Sequence, residues 1–304
     1  MNNELPRDVF IQTIFNLAKS DEKIIFMSAD LGAKALDQFR AELPNQFIHP
    51  GISEQSMIDV AAGLSMQGNK VVCYAMAPFI TSRCLEQIKV AIATQGLALT
   101  LVGVGVGYGY DSAGPTHYAT EDIAWMSSLV GMEIFTPSDN KTVEMIARNC
   151  IENPGLRYIR LDRKYLPSVE MDELFKSFRV KNQKSDNLIF TTGFMTPLVA
   201  EVISDENLKA TQIDLFKNYP VDSNLIDLIR KYKKVITVEE HFLSGGLSSK
   251  IAELMCDNEI LLPHLRIGIK EKYYFENGGR EYLHELAGLD KFTILNRIKK
   301  YIGQ

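Results

Sequence analysis

The sequence predicts an α/β protein of two three-layer α/β/α domains, the second smaller than the first. Three observations predict it. Short apolar runs of strand length alternate with helical segments of about 10–15 residues, the pattern of parallel sheets covered by helices on both faces. The alternation breaks down between 162 and 186, where charges crowd together and Pro167 intervenes. It then resumes, so the chain reads as a first domain over 1–165, a linker over 166–186 and a second domain over 187–304.

A helix is expected over 8–19, with Val9, Phe10, Thr13, Ile14 and Leu17 on one face, then a buried strand over 23–27. The spacing of Met57, Val60, Ala61 and Leu64 makes 53–67 helical, and Gly68-Asn69 stops it. A strand over 70–75, a helix over 80–95 and a strand over 98–104 follow, the last feeding a loop of Gly, Tyr, Asp and Ser over 105–115. A helix over 121–130, a strand over 133–136, a helix over 140–152 and a strand over 156–161 complete the first domain. In the second, strands are expected over 188–191, 210–214 and 234–239. Helices are expected there over 196–204, 224–230, 247–255, 279–287 and 290–301.

With 304 residues and 46% hydrophobic content the chain can bury two cores. Its net charge of −5 offers no electrostatic attraction to nucleic acid or an anionic membrane. No apolar run of about 18 residues marks a membrane span. The N-terminal MNNELPRDVF lacks the basic-then-apolar layout of a secretory signal. Cys73, Cys84, Cys150 and Cys256 are widely spaced and form no CxxC pair, so they read as free thiols in a reducing compartment, with no zinc site or disulfide framework. A cytoplasmic location is the expectation.

GVGVGYG (103–109) never gives GxGxxG, and no GxxxxGK[ST] occurs, which disfavours a dinucleotide site or a P-loop. These glycines read instead as a loop leaving the carboxyl end of a strand, where open α/β sheets place their ligands. The most informative segment is HPGISEQSMIDVAAGLSMQG (49–68). An isolated acid at a helix start is ordinarily a partner of the helix dipole. Glu54, however, heads a helix of small and apolar residues that can pack closely around a carboxylate. Burial disfavours its charge and the helix N-terminus favours it, a balance suited to proton exchange with a heterocycle.

That segment, followed by APFITSRCLEQIKVAIA (77–93) and AGPTHYATEDIAWMSSLVGMEIFTPSD (113–139), resembles the pyrimidine-binding domain of transketolases and their thiamine-dependent relatives. TTGFMTPLVAEV, IDLFKNYPVD, VITVEEHFLSGGLSSKIAELM and LRIGIKEKYYFENGG resemble the C-terminal domain of the same family, so the likeness covers essentially the whole chain. The GDG…N motif of the family's N-terminal domain, which holds Mg²⁺ and the cofactor diphosphate, is missing from this sequence. The resemblance therefore implies thiamine diphosphate and Mg²⁺ as cofactors. It also implies a separate N-terminal subunit that holds the metal and diphosphate, and dimerisation through this chain into an α2β2 heterotetramer.

Taken residue by residue, Glu54 matches the family's essential glutamate, which bonds a pyrimidine nitrogen and promotes loss of the thiazolium proton. Phe79 falls among the pyrimidine-stacking aromatics, Asp30 aligns with a position near the cofactor, and Arg83, on the helix after Phe79, is expected to face the same site. His117, in GPTH, matches a histidine that contacts substrate hydroxyls; Arg7 and Arg163 match arginines that grip a sugar phosphate, as guanidinium forks suit phosphate oxygens. A second substrate histidine of the family falls on Gly105 and a sugar-reading aspartate on Ala113, so the substrate is expected to be atypical. Tyr108, Tyr110 and Asp111 are the candidates to replace those contacts.

The activity so implied moves a two-carbon ketol unit from a ketose or ketose phosphate to an aldehyde acceptor. Chemistry like that of deoxyxylulose-phosphate synthase or of a 2-oxoacid decarboxylase beta chain stands as an alternative on the same fold. A non-catalytic assembly subunit is the third reading.

Overall fold

The computed structural model describes residues 4–29, 34–183 and 185–304. The first half runs α1 (Pro6–Ala18), β1 (Ile24–Ser28), α2 (Leu36–Glu42), β2 (Phe47–Ile48), α3 (Glu54–Met66), β3 (Lys70–Met76), α4 (Ala77–Ile80), α5 (Leu85–Gln87), β4 (Leu99–Val104), α6 (Asp122–Ser127), β5 (Glu133–Phe135), α7 (Asn140–Glu152) and β6 (Leu156–Leu161). The second half holds β7 (Glu173–Leu174), β8 (Arg179–Lys181), β9 (Asn187–Thr191), α8 (Met195–Asp205), β10 (Thr211–Asp214), β11 (Lys217–Tyr219), α9 (Asn224–Ile229), β12 (Lys234–Phe242), α10 (Leu247–Asp257), β13 (His264–Ile269), α11 (Gly279–Ala287) and α12 (Lys291–Ile302).

The first sheet has the order β11-β5-β6-β4-β3-β1-β2, parallel except at β11. Strands β4 and β6 are buried along their whole length, because helices cover both faces and leave no solvent side for polar residues. One face packs Phe10, Ile14, Val143 and Ile146 of α1 and α7; the other packs Met57, Ile58, Ile88 and Ile92. Helix α7 begins at a capping box in which Asp139 accepts from the Thr142 N–H and Thr142 answers back. The second sheet, β13-β12-β9-β10-β8-β7, is parallel at β9, β10, β12 and β13.

Some elements differ from the sequence reading. The helix expected over 80–95 is broken into α4, a 3-10 turn (Ser82–Cys84), α5 and a π-helical stretch (Ile88–Ala93), a form common near functional sites. Pro78 sits in the first turn of α4, and the non-helical backbone at Thr81 ends it one turn later. The charged stretch over 162–186 contains β7 and β8, which form an antiparallel hairpin on the second sheet. Strand β11, in the second half of the sequence, closes the edge of the first sheet against β5. β13 hid from the sequence reading because His264 and Arg266 interrupt its apolar run.

Cys73, Cys84 and Cys150 are buried and Cys256 is exposed, all as free thiols; burial pushes the Cys84 thiol up to about 12 and Cys150 up to about 11. Among the described residues no helix is long and apolar enough to cross a membrane.

Candidate active site

Three segments leave the carboxyl edge of the first sheet side by side: 77–83 after β3, 105–117 after β4, and 162–163 after β6. Helix α3 approaches the same edge with its N-terminus. Gly51 takes a left-handed φ of +85° in the turn before it, and the Ser53 hydroxyl bonds back to the Pro50 carbonyl (2.8 Å). Glu54 is therefore the first residue of the helix, and it is only 4% exposed. Its Oε2 accepts from Arg83 Nη1 at 2.7 Å.

From Glu54 the contacts continue outward as one surface. The Arg83 guanidinium lies 3.9 Å over the Phe79 ring, and Phe79 meets His117 edge-on at 5.1 Å. His117 lies 6.2 Å from the Tyr110 ring, and the Arg163 guanidinium covers Tyr110 at 4.6 Å. The floor of this surface thus holds a buried acid, a half-buried aromatic face, an imidazole, and an aromatic ring topped by a cation. A planar group that donates hydrogen bonds and lies on Phe79 within reach of Glu54 fits this cradle, since the Arg83 guanidinium has that arrangement here. The aminopyrimidine of thiamine has the same character, flat and N–H bearing, so the residues present fit that end of the cofactor.

The structure brings Glu54, Phe79, Arg83, His117 and Arg163 together. Asp30 lies outside the described residues. Arg7 sits in the first turn of α1 with its Nε 3.3 Å from the neighbouring Asp8. Tyr108 is corrected: it is 1% exposed and packs edge-on against Tyr118 and Tyr274 in the second domain's core, so it offers no surface to a substrate. Burial raises its hydroxyl far above the usual phenol range. Asp111 is half-buried and accepts from the Arg280 backbone N–H (3.0 Å), with Lys164 at 3.5 Å. Tyr110 takes the open position instead. Its ring lies where a side chain on Gly105 would be: a Cβ there would come within 2.1 Å of the ring, at a backbone φ of +79°.

Beneath this surface lies a polar layer that sequence reasoning missed. Asp122 accepts from the Tyr158 hydroxyl (2.7 Å) and from Arg160 Nε and Nη2 (2.8 and 2.9 Å), all three side chains being buried. His241 Nε2 accepts from the Ile123 N–H (3.2 Å), and burial pushes this ring down to about 4, so it is neutral at pH 7. One signal was available: Arg157 and Arg160 interrupt an otherwise apolar, buried strand, and cations there need anions beside them.

The fold and site define a two-domain α/β protein whose candidate ligand surface, at the carboxyl edge of the first sheet, pairs an acid with an aromatic platform. The chain belongs to the transketolase family. Residues 6–168 match the model for the transketolase pyrimidine binding domain, and residues 177–294 match that for the transketolase C-terminal domain. The chain is 29% identical to one subunit of the apulose-4-phosphate transketolase of Phocaeicola vulgatus, over 97% of each chain. It is 28% identical to 1-deoxy-D-xylulose-5-phosphate synthase of Prochlorococcus marinus, covering 96% of this chain and 47% of the synthase. Among solved structures it resembles a split gene transketolase, an inactive beta4 tetramer, with a TM-score of 0.84, 28% identity and 97% of each chain covered.

Proposed function

We propose that this chain is the subunit of a split thiamine diphosphate-dependent transketolase that supplies the pyrimidine side of the site. The enzyme transfers a two-carbon ketol unit from a ketose or ketose phosphate to an aldehyde acceptor. The observation that carries this reading is the buried Glu54 carboxylate at the head of α3, facing a planar hydrogen-bonding group on Phe79. When bound, the cofactor supplies a nucleophilic carbon and an electron sink.

Glu54 would hold a ring nitrogen of the pyrimidine through its carboxyl group, and Phe79 would lie against the ring. Arg83, whose side chain is 40% exposed, is free to swing outward and leave both to the cofactor. His117, next to Phe79, orients substrate hydroxyls and relays a proton. Arg163 at the outer end, with Arg7, receives a phosphate or other anionic terminus. Asp111 holds the loop at the substrate end through the Arg280 N–H. The diphosphate and Mg²⁺ belong to an N-terminal partner subunit, in an α2β2 assembly within the cytoplasm. Relatives named as one subunit of a transketolase and as a split gene transketolase support that division of labour.

The test is reconstitution with the N-terminal subunit, thiamine diphosphate and Mg²⁺. Glu54→Ala is expected to leave the assembled mass unchanged while turnover falls about 10²–10⁴-fold. Wild-type turnover in that variant would overturn the assignment. The synthase likeness keeps a second reading in view, in which the donor is a 2-oxoacid. Carbon dioxide release from pyruvate, with no ketol transfer between sugars, would favour it.

A further inference from the structure

The two residues that stack at the outer end of the site, Tyr110 and Arg163, each adjoin a carboxylate gripped from the second domain. Asp162, just before Arg163, accepts from Arg280 Nη1 (2.9 Å) and Nη2 (2.7 Å). Asp111, just after Tyr110, accepts from the Arg280 backbone N–H (3.0 Å). One residue at the start of α11 therefore holds both flanks of the Tyr110–Arg163 pair.

Arg280 is itself held tightly. Two more of its guanidinium hydrogens go to Glu240 Oε1 (2.8 Å) and Oε2 (2.6 Å), and its plane lies 3.8 Å over the Phe194 ring. His284 bonds Glu240 at 2.5 Å, and Arg280 is 2% exposed. Merely joining two domains does not require such a cluster, because buried ion pairs add little net stability over apolar packing. A rigid bidentate fork does fix direction and distance, which apolar contacts do not. Here the fixed atoms are one residue away from the stacked pair on both sides.

We propose that Arg280 is a positioning residue. From the second domain it sets the Tyr110–Arg163 pair and so governs affinity for the anionic end of the substrate, without touching the reacting atoms. This rests on the functional reading above, in which Arg163 receives that end.

The experiment uses the reconstituted holoenzyme with a ketose phosphate donor and an aldose phosphate acceptor. Arg280→Lys keeps the charge and removes the fork; it is expected to raise KM for the phosphorylated substrates about tenfold with kcat within about twofold. The effect should be absorbed by Arg163→Ala, so that the double variant has no higher KM than Arg163→Ala alone. A defect of folding alone would instead lower the active fraction, hence apparent kcat. Unchanged KM in an assembled Arg280→Lys enzyme, or additive effects with Arg163→Ala, would overturn the proposal. Should Arg280→Lys fail to assemble, the Asp111 variants decide. Asp111→Ala should raise KM and Asp111→Asn, which still accepts the Arg280 N–H, should restore it; no effect of Asp111→Ala, or no restoration by Asn, overturns it. Absence of ketol transfer in the wild-type holoenzyme would count against the functional reading itself, which the wild-type control separates from the fate of Arg280.

Discussion

Gly105 and Tyr110 form one structural unit, although they are five positions apart. The left-handed backbone at Gly105 turns the chain out of β4, and the bare Cα leaves the space that the Tyr110 ring fills. Gly105→Ala is therefore expected to lower stability by about 1–3 kcal/mol, from φ strain together with the steric overlap. Adding Tyr110→Ala to it should recover the steric part and leave the backbone part. Thermal unfolding of Gly105→Ala and of the double variant against the wild type checks this; equal stability of the Gly105→Ala protein would refute it. At this scale the sequence was informative about chemistry and silent about accessibility. The motifs single out Glu54 and His117 as candidates, whereas burial of Tyr108 and the half-buried setting of Tyr110 depend on which ring the second domain covers.

Strand β12 and helix α6 are joined across the domain boundary by His241, which accepts from the Ile123 N–H and lies against the Asp122–Arg160 pair. Burial holds its folded value at about 4, below the 6.5 of an ordinary histidine. Above pH 6.5 both folded and unfolded states carry a neutral ring, and the contribution is fully present. As pH falls through 6.5 toward 4 the unfolded state takes up the proton first, and stability declines. The wild type should thus lose up to about 3 kcal/mol over that window from this group, at about 1.4 kcal/mol per pH step. His241→Gln should show a shallower decline between pH 6.5 and 4 in thermal unfolding. An identical slope would remove His241 as the cause. Periodicity located both elements, but it carries no information on which strand end meets which helix start; that is a product of packing.

At the scale of the whole molecule, the outer face of α3 and its neighbourhood leaves Ile52, Val60, Met66 and Val90 exposed. α3 packs directly against the π-helical stretch that carries Val90, so these exposed apolar side chains stand on neighbouring elements of the same sheet face. Such a face is expected to be covered in the working assembly. Val60→Asp should lower the mass of the reconstituted complex, measured by light scattering, while the subunit keeps its own helical signal. A full-size Val60→Asp complex would show that this face is not an interface. The two halves of the chain are also interlocked, since β11 completes the first sheet and Arg280 reaches the first domain's loop carboxylates. A linker reading of 166–186 could not anticipate the hairpin there, because its strands are short, charged and set at an edge.

By itself the sequence determined the two-domain α/β class, the alternation of its main strands and helices, and the motifs behind the candidate site. These follow from local periodicity and from residue types that only certain reactions need. Tertiary structure alone decided which tyrosine faces the candidate site, how the second domain holds the loop over 105–117, and where β11 pairs. Each of those is a contact between residues distant in the chain, and no local pattern encodes the partner of a side chain that folding brings to it.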